Sequence, residues 1–318
     1  MSDGLEPFAA VLRGVLDDAA ARHADLAGTV AALHDAGLTD GLPVIPPSTE
    51  AVAALLGGRN PLAVAIGAPL PIAFAVPTWE DLATIAVLAG CPCEPPLLDV
   101  IAAALDACAD PAFNLLGVAA TTGAASPLVI VHGATAVRLG FNAAAGTMGP
   151  GGRRNATVGR AVRLALQNIG CARPGEGDMA TLGHPGKVGW LLAERWGAAP
   201  WAPLDPPDAV TVHPGVGNVE VVLPTTSPDD VARRLAAAVA GVAPAGAVVV
   251  VPPDAATFLH RHGWDAGALA GAVADRTGAS PPRLVVSGGP GVKAAVVPRW
   301  GGPCAAVTRS MPEEANPT

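Results

Sequence analysis

The sequence predicts an α/β protein built as two layered α/β lobes, and three observations carry that prediction. Short β-branched runs such as Leu128–Val131, Val248–Val251 and Leu284–Ser287 alternate with longer segments whose apolar residues recur at helical spacing. Glycine-bearing turns, His132-Gly133 and Gly288-Gly289-Pro290-Gly291, follow two of those runs, the pattern expected of strand–turn–helix layers. The composition, 51% hydrophobic and 14% charged over 318 residues, supplies enough apolar surface for a sizeable core.

Residues 5–36 carry apolar positions at helical spacing with acids and arginines between them, which predicts one or two amphipathic helices. Thr39–Pro43 breaks the pattern, and Val44–Pro47 reads as a short extended segment. Ser48 or Thr49 caps a helix running to Leu56, closed by Gly57-Gly58. Thr78, followed by Glu80 and Asp81, opens a helix that ends at Gly90, and another spans Pro96–Ala109. The strand Leu128–Val131 leads to a helical piece ending at Leu139, and a longer helix covers Ala156–Ile169. The Pro- and Gly-rich stretch Pro200–Pro214 reads as a linker, dividing residues 1–205, an N-terminal α/β domain with a helical extension, from residues 206–318, a C-terminal α/β domain. The second part reads strand Val219–Leu223, helix Pro228–Ala240, strand Val248–Val251, helices Ala255–Arg261 and Asp265–Thr277, and strand Leu284–Ser287.

Several classes are excluded by composition. The 38 glycines and 33 prolines show no three-residue period, so the chain is not collagen-like. A net charge of −8 offers no broad basic surface, so neither nucleic acid nor an anionic membrane is an expected partner. The stretch Met1–Leu26 mixes acids among its apolar residues and does not read as a secretory leader, and four prolines cut the uncharged run Pro61–Pro77. Five cysteines, an odd number in a long chain, suggest no disulfide framework, and the cytoplasm is the expected compartment. With so few charges to cover a monomer, a homo-oligomer or hetero-complex is expected.

Only Lys187 and Lys293 are lysines among 19 basic residues. Each follows a Pro-Gly turn and precedes an Arg-Trp-Gly, at Arg195–Gly197 and Arg299–Gly301, an echo that suggests a weak internal repeat between the lobes. Such a turn brings backbone N–H groups close to a ligand, and a lysine beside it adds a charge or, when desolvated, an amine able to act as base or nucleophile. The loop Gly149–Asn155 runs into a helix and predicts an anion seat of Gly151, Gly152, Arg153, Arg154, Asn155 and Thr157, joined by Gly289 and Gly291 from the other lobe. It matches neither a Walker A loop nor the dinucleotide fingerprint, so no organic cofactor is expected. His184, next to Lys187, is the candidate acid–base group, with Glu176, Asp178 or Glu194 to orient it or pair the lysine. His132 follows a strand end, where ligands of α/β folds commonly lie, whereas His23, His34, His260 and His262 fall on helical segments as surface residues. Cys91-Pro92-Cys93 offers a soft-metal or redox alternative without the spacing of the thioredoxin motif.

The patches Asp40–Pro47, Asn155–Ala161 with Arg163-Leu164, and Gly183–Lys187 resemble a poorly characterised bacterial family associated with UGSC-type (seleno)proteins. Gly288–Lys293 and Val307-Thr308-Arg309 are similar as well, so the resemblance is scattered over residues 37–310. Two features depart from it. The Sec-Gly-Ser-Cys motif is absent, so the family's redox chemistry is not implied, and Trp190–Glu194 keeps only the glutamate of a more polar segment.

These readings converge on an enzyme acting between two lobes on a small carboxylate-bearing substrate by proton transfer, of lyase or hydratase type. Lys187 or His184 moves the proton, Lys293 stabilises developing charge, and Glu194 supports them. The alternatives are a thiol redox or metal-binding protein using Cys91 and Cys93, or a non-catalytic subunit of a larger enzyme complex.

Overall fold

The computed structural model describes residues 7–22, 25–195, 197, 200–202, 206–243 and 245–312. His23, Trp196 of the first Arg-Trp-Gly, and Leu204 and Asp205 at the expected domain boundary lie outside them.

The chain begins with helices: α1 (Phe8–Arg22), α2 (Leu26–Asp35), α3 (Thr49–Leu56), α4 (Trp79–Ala89), α5 (Pro96–Ala109) and α6 (Leu115–Ala120). Their ends follow local chemistry. Ser48 accepts a hydrogen bond from the Ala51 N–H at the start of α3, and Gly57 closes that helix at φ +56°, a conformation that costs glycine nothing. Thr78 and Asp81 form a reciprocal capping box on α4.

Strand β1 (Ser126–Val131), helices α7 (Gly133–Arg138) and α8 (Arg153–Asn168), and strands β2 (Leu191–Ala193) and β3 (Ala209–Gly215) follow. The remainder is β4 (Val219–Val222), α9 (Pro228–Val242), β5 (Ala247–Val251), α10 (Pro253–Arg261), α11 (Ala266–Thr277), β6 (Arg283–Val286), β7 (Lys293–Pro298) and β8 (Val307–Ser310). Helix α8 starts three residues earlier than Ala156, because Asn155 turns its amide inward instead of capping the helix. The Pro-rich stretch read as a linker holds an inner strand, β3, whose Val210 and Val212 face the helices while Thr211 and His213 face the other way.

Two mixed four-stranded sheets result, ordered β2-β1-β3-β8 and β4-β7-β5-β6. They share one plan. A central strand, β1 or β5, lies parallel to an edge strand, β2 or β6, and antiparallel to a third, β3 or β7, whose far side carries an antiparallel fourth. That fourth strand precedes the rest in one half, as β4, but comes from the C-terminal end of the chain, as β8, in the other. Strands β3 and β8 both follow residue 206 in sequence, yet both complete the first sheet. The lysine echo is not this repeat: Lys187 leads into the edge strand β2, whereas Lys293 begins the inner strand β7.

The sheets pack face to face through Leu128, Ile130, Leu192, Val248, Val250, Val285 and Val297, with Trp190 beside them. Their outer faces carry helices: α4, α5 and α8 on the first, α9, α10 and α11 on the second. The order of layers is therefore helix, sheet, sheet, helix. At one corner the sheets are stitched by Val216 N–H to Pro298 O and Trp300 N–H to Pro214 O. Gly159 lets α8 lie directly on the chain entering β2, since a Cβ there would stand 3.0 Å from the Trp190 nitrogen. No helix among the described residues is long and apolar enough to cross a membrane.

Candidate functional site

The turn at Lys187 is built by three segments that the sequence separates. Asp178, in the loop after α8, is buried, and both its oxygens accept hydrogen bonds from Lys187 Nζ at 2.8 and 2.7 Å. Arg163, on the buried face of α8, donates from Nη2 to Asp178 at 3.3 Å and from Nε to the Lys187 carbonyl at 3.0 Å. Burial pulls the Lys187 pKa down, with Asp178 opposing it; burial also lowers that of Arg163. A lysine gripped by both oxygens of a carboxylate is an ion-pair member rather than a free amine. Asp178 is thus the carboxylate that pairs Lys187, and Arg163, a charge inside an apolar helical run, was its unread signal.

His184 accepts a hydrogen bond at Nδ1 from the Gly186 N–H, at 3.1 Å, which assigns the neutral ring's proton to Nε2. Nε2 is buried with no hydrogen-bond partner, and the ring stands edge-on to Trp190 at 4.9 Å. Burial first, then the charges of Lys187 and Arg163, hold the imidazole below its usual range; the Ala124 backbone pulls the other way but falls short of a hydrogen bond.

Glu194 does not join this group. It lies beyond β2, and even a three-residue strand spans about 10 Å, so Lys187 and Glu194 stand at opposite ends of it. The glutamate instead contacts His132 Nδ1 at 3.1 Å, His132 Nε2 meets Thr211 Oγ1 at 2.7 Å, and Thr211 meets Thr308 at 2.8 Å. With His132 and Thr211 fully buried, this chain runs through the interior.

On the Gly149–Asn155 loop, read as an anion seat, both arginines have protein partners. Arg153 donates to the Gly90 carbonyl, and Arg154 grips both oxygens of Glu94 at 3.0 and 2.5 Å. Asn155 is a clamp, donating to the Asn142 and Thr147 carbonyls and accepting from the Asn142 N–H, while Thr157 donates to the Arg153 carbonyl. Gly151 and Gly152 shape the turn; Gly151 sits at φ +102°.

What lies open is a cleft between the halves, made of two hollows of about 580 and 250 Å³ that share Thr147 and Met148. The larger is walled by Ser287, the Gly288–Gly291 loop and Lys293, which pairs with Glu220 at 2.8 Å with both side chains mostly exposed. Gly289 packs so closely on Ala145 that a Cβ would stand 2.9 Å from that side chain, which seats the loop of one half on the other. The Gly291 N–H is spent on Asp254, at 2.8 Å. The smaller hollow includes Arg160, held by Asp40 at 2.7 and 2.6 Å. Lys293 lines the cleft; Lys187 and His184 line neither hollow, though their neighbours Pro185 and Trp190 line the smaller. Thr147, Met148, Ser287 and Glu220 went unread, because nothing local marks residues that only the packing of two loops brings together.

All five cysteines are free. Burial pushes the Cys91 thiol up to about 12, against a hydrogen bond with Thr157, so it stays protonated at neutral pH, whereas Cys93 is exposed. Among the described residues no group of three or more His, Cys, Asp or Glu gathers to hold a metal ion.

Fold and site together define a two-sheet α/β protein with a cleft where its halves meet. Among known proteins, no family model matches the chain and no curated sequence matches it.

Proposed function

We propose that this protein is an enzyme that acts on a small carboxylate-bearing substrate by proton transfer, of lyase or hydratase type, in the cleft between its halves. The observation that carries this reading is the Lys293–Glu220 pair, 2.8 Å apart on the wall of a hollow of about 580 Å³ to which both halves contribute. A substrate carboxylate competes with Glu220 for the Lys293 ammonium; the released glutamate then takes a proton from a carbon made acidic by an adjacent carbonyl or carboxyl group, which holds the electron pair until the proton returns or hydroxide leaves the neighbouring carbon. A kinship with UGSC-type proteins belongs to the same proposal. It is supported by contact between the resembling patches: Arg160 joins Asp40, and Arg163 joins the Lys187 turn. An oligomeric state is proposed too, supported by apolar side chains left in solvent, Leu182 at 96% exposure among them.

The test is proton exchange in D₂O, followed by NMR, over a panel of 2-hydroxy, 2-oxo and 2,3-unsaturated acids. At least one acid is expected to exchange or hydrate with the wild type and to stop doing so with Lys293→Met and Glu220→Gln. No turnover of any acid, or turnover untouched by both variants, overturns the reading.

A further inference from the structure

We infer that a second hollow, at the C-terminal end of α8 and away from the cleft, binds a small amphipathic carboxylate with an N–H or O–H donor beside the acid group: an α-amino or α-hydroxy acid with an apolar side chain. The hollow holds about 430 Å³, within the range of small-ligand sites, and Phe8, Val11, Leu38, Phe74 and Ile169 give it apolar walls.

Two polar groups in its lining lack partners. Arg173 makes no ion pair or hydrogen bond through its side chain among the described residues, and its Nε is buried. Among the described residues the lining's one carboxylate, Asp81, makes no bond to it. One oxygen accepts from the Ala9 N–H and the other from the N–H and hydroxyl of Thr78, all at 2.9 Å. Asn168 donates from Nδ2 to the Leu38 carbonyl at 3.1 Å, which fixes the amide's orientation and leaves Oδ1 buried without a donor. A buried donor and a buried acceptor left unmade each destabilise the empty hollow, and one ligand bearing a carboxylate and an adjacent N–H or O–H satisfies both.

The backbone around the hollow is constrained in the same sense. Phe74 and Cys171, at φ +56° and +57°, both line it, and the only other non-glycine with positive φ among the described residues is Asn114, a helix cap. Left-handed backbone at residues other than Gly or Asn persists where the surroundings impose it, and it clusters at ligand sites. Here the surroundings are explicit. The N–H groups of Ile72 and Ala73 both donate to the Gly170 carbonyl, which bolts the Phe74 turn to the end of α8. The Arg173 carbonyl accepts from the N–H groups of Glu176, Gly177 and Asp178, so the arginine is presented from a fixed loop.

The experiment is calorimetric titration of the full chain with L-phenylalanine, L-leucine and 3-phenyllactate, set against 3-phenylpropionate, which lacks the donor, and 2-phenylethylamine, which lacks the acid. At least one of the first three is expected to bind, with 3-phenylpropionate about tenfold weaker and the amine not at all. Arg173→Met is expected to abolish binding, Arg173→Lys to restore part of it, and Lys293→Met, which disables the cleft, to leave it unchanged. Failure of all three acids to bind at millimolar concentration overturns the site. So does equal affinity for the amine, or binding that survives Arg173→Met. Loss of binding in Lys293→Met alone would place the ligand in the cleft instead.

Discussion

The two Pro-Gly lysine turns look alike in sequence and behave differently in the molecule. Lys187, its side chain 13% exposed, is locked onto both oxygens of Asp178 with Arg163 behind them; Lys293, 64% exposed, meets Glu220 on the wall of an open cleft. The same short motif thus yields a structural clamp in one place and an available charge in the other. The decision lies in what packs over the turn: α8 and its following loop cover Lys187, whereas strand β7 presents Lys293 beside the edge strand β4. Solvent access, rather than motif, separates a group that holds the fold from one that can meet a ligand.

Unequal stability costs are the sharpest way to break this contrast. Lys187→Met leaves the buried Asp178 with the Arg163 guanidinium at 3.3 Å and the Ala180 N–H at 3.2 Å, and is expected to cost about 3 kcal/mol, the lower end for unpairing a buried charge. Lys293→Met removes one arm of an exposed pair and is expected to cost less than about 1 kcal/mol. Denaturant unfolding of both variants decides. Equal losses would mean that the two turns are energetically equivalent and that the contrast in burial carries no weight.

His213 extends the comparison to the layer between the sheets. It pairs with Leu128 across the first sheet and is 3% exposed; burial first, then the nearby charge of Arg283, push its pKa down to about 3, with the backbone at Val297 opposing. Above about pH 6.5, the ordinary histidine value, neither folded nor unfolded chain is protonated there, so the residue has no pH effect. Below it the unfolded chain takes up a proton that the folded chain refuses, and stability falls by up to about 1.4 kcal/mol per pH unit until about pH 3. Between pH 6.5 and 5 that amounts to about 2 kcal/mol. Unfolding free energies at those two pH values are expected to differ less in His213→Leu than in the wild type, by about that amount. An unchanged difference would show that the imidazole is not held neutral between the sheets.

The same distinction explains what was legible in the sequence. Helices α3 and α4 were readable to within a residue because Ser48, Thr78, Gly57 and Gly90 announce their ends through local hydrogen bonds that need no tertiary context, and α5 because Pro96 marks its first turn. The four-residue run Leu128–Val131 was enough to mark β1. Strands β2 and β8 are short, and β3 lies among prolines, so their ladders are determined by partners far away in sequence, such as β8 completing a sheet begun at residue 126. The site divides likewise. Lys187, His184 and Lys293 stand out by residue type beside a distinctive turn. Asp178 was one of three acids read as a partner for Lys187; which of them pairs it, and the Thr147, Met148 and Ser287 that close the cleft, follow only from how loops stack. Glu194 shows the limit most plainly: seven residues from Lys187 in sequence, it belongs to the interior with His132.

Cys91 and Cys93 compress the contrast into three residues, and there the expected effect is on reactivity rather than stability. Cys91 ends α4's closing turn beneath Thr157, its thiol pushed up to about 12, while Cys93 faces solvent two positions later. The thiolate is the reactive form, so a thiol reagent at pH 8 is expected to label Cys93 readily and to reach Cys91 only as the protein opens. Mass spectrometry of the labelled chain assigns the modified residue, and Cys93→Ser should remove the fast adduct with no shift in the unfolding midpoint. Rapid labelling of Cys91 would mean that the thiol is less buried and less firmly protonated than the packing of α8 on α4 requires, and would return the Cys-Pro-Cys segment to consideration as a redox pair.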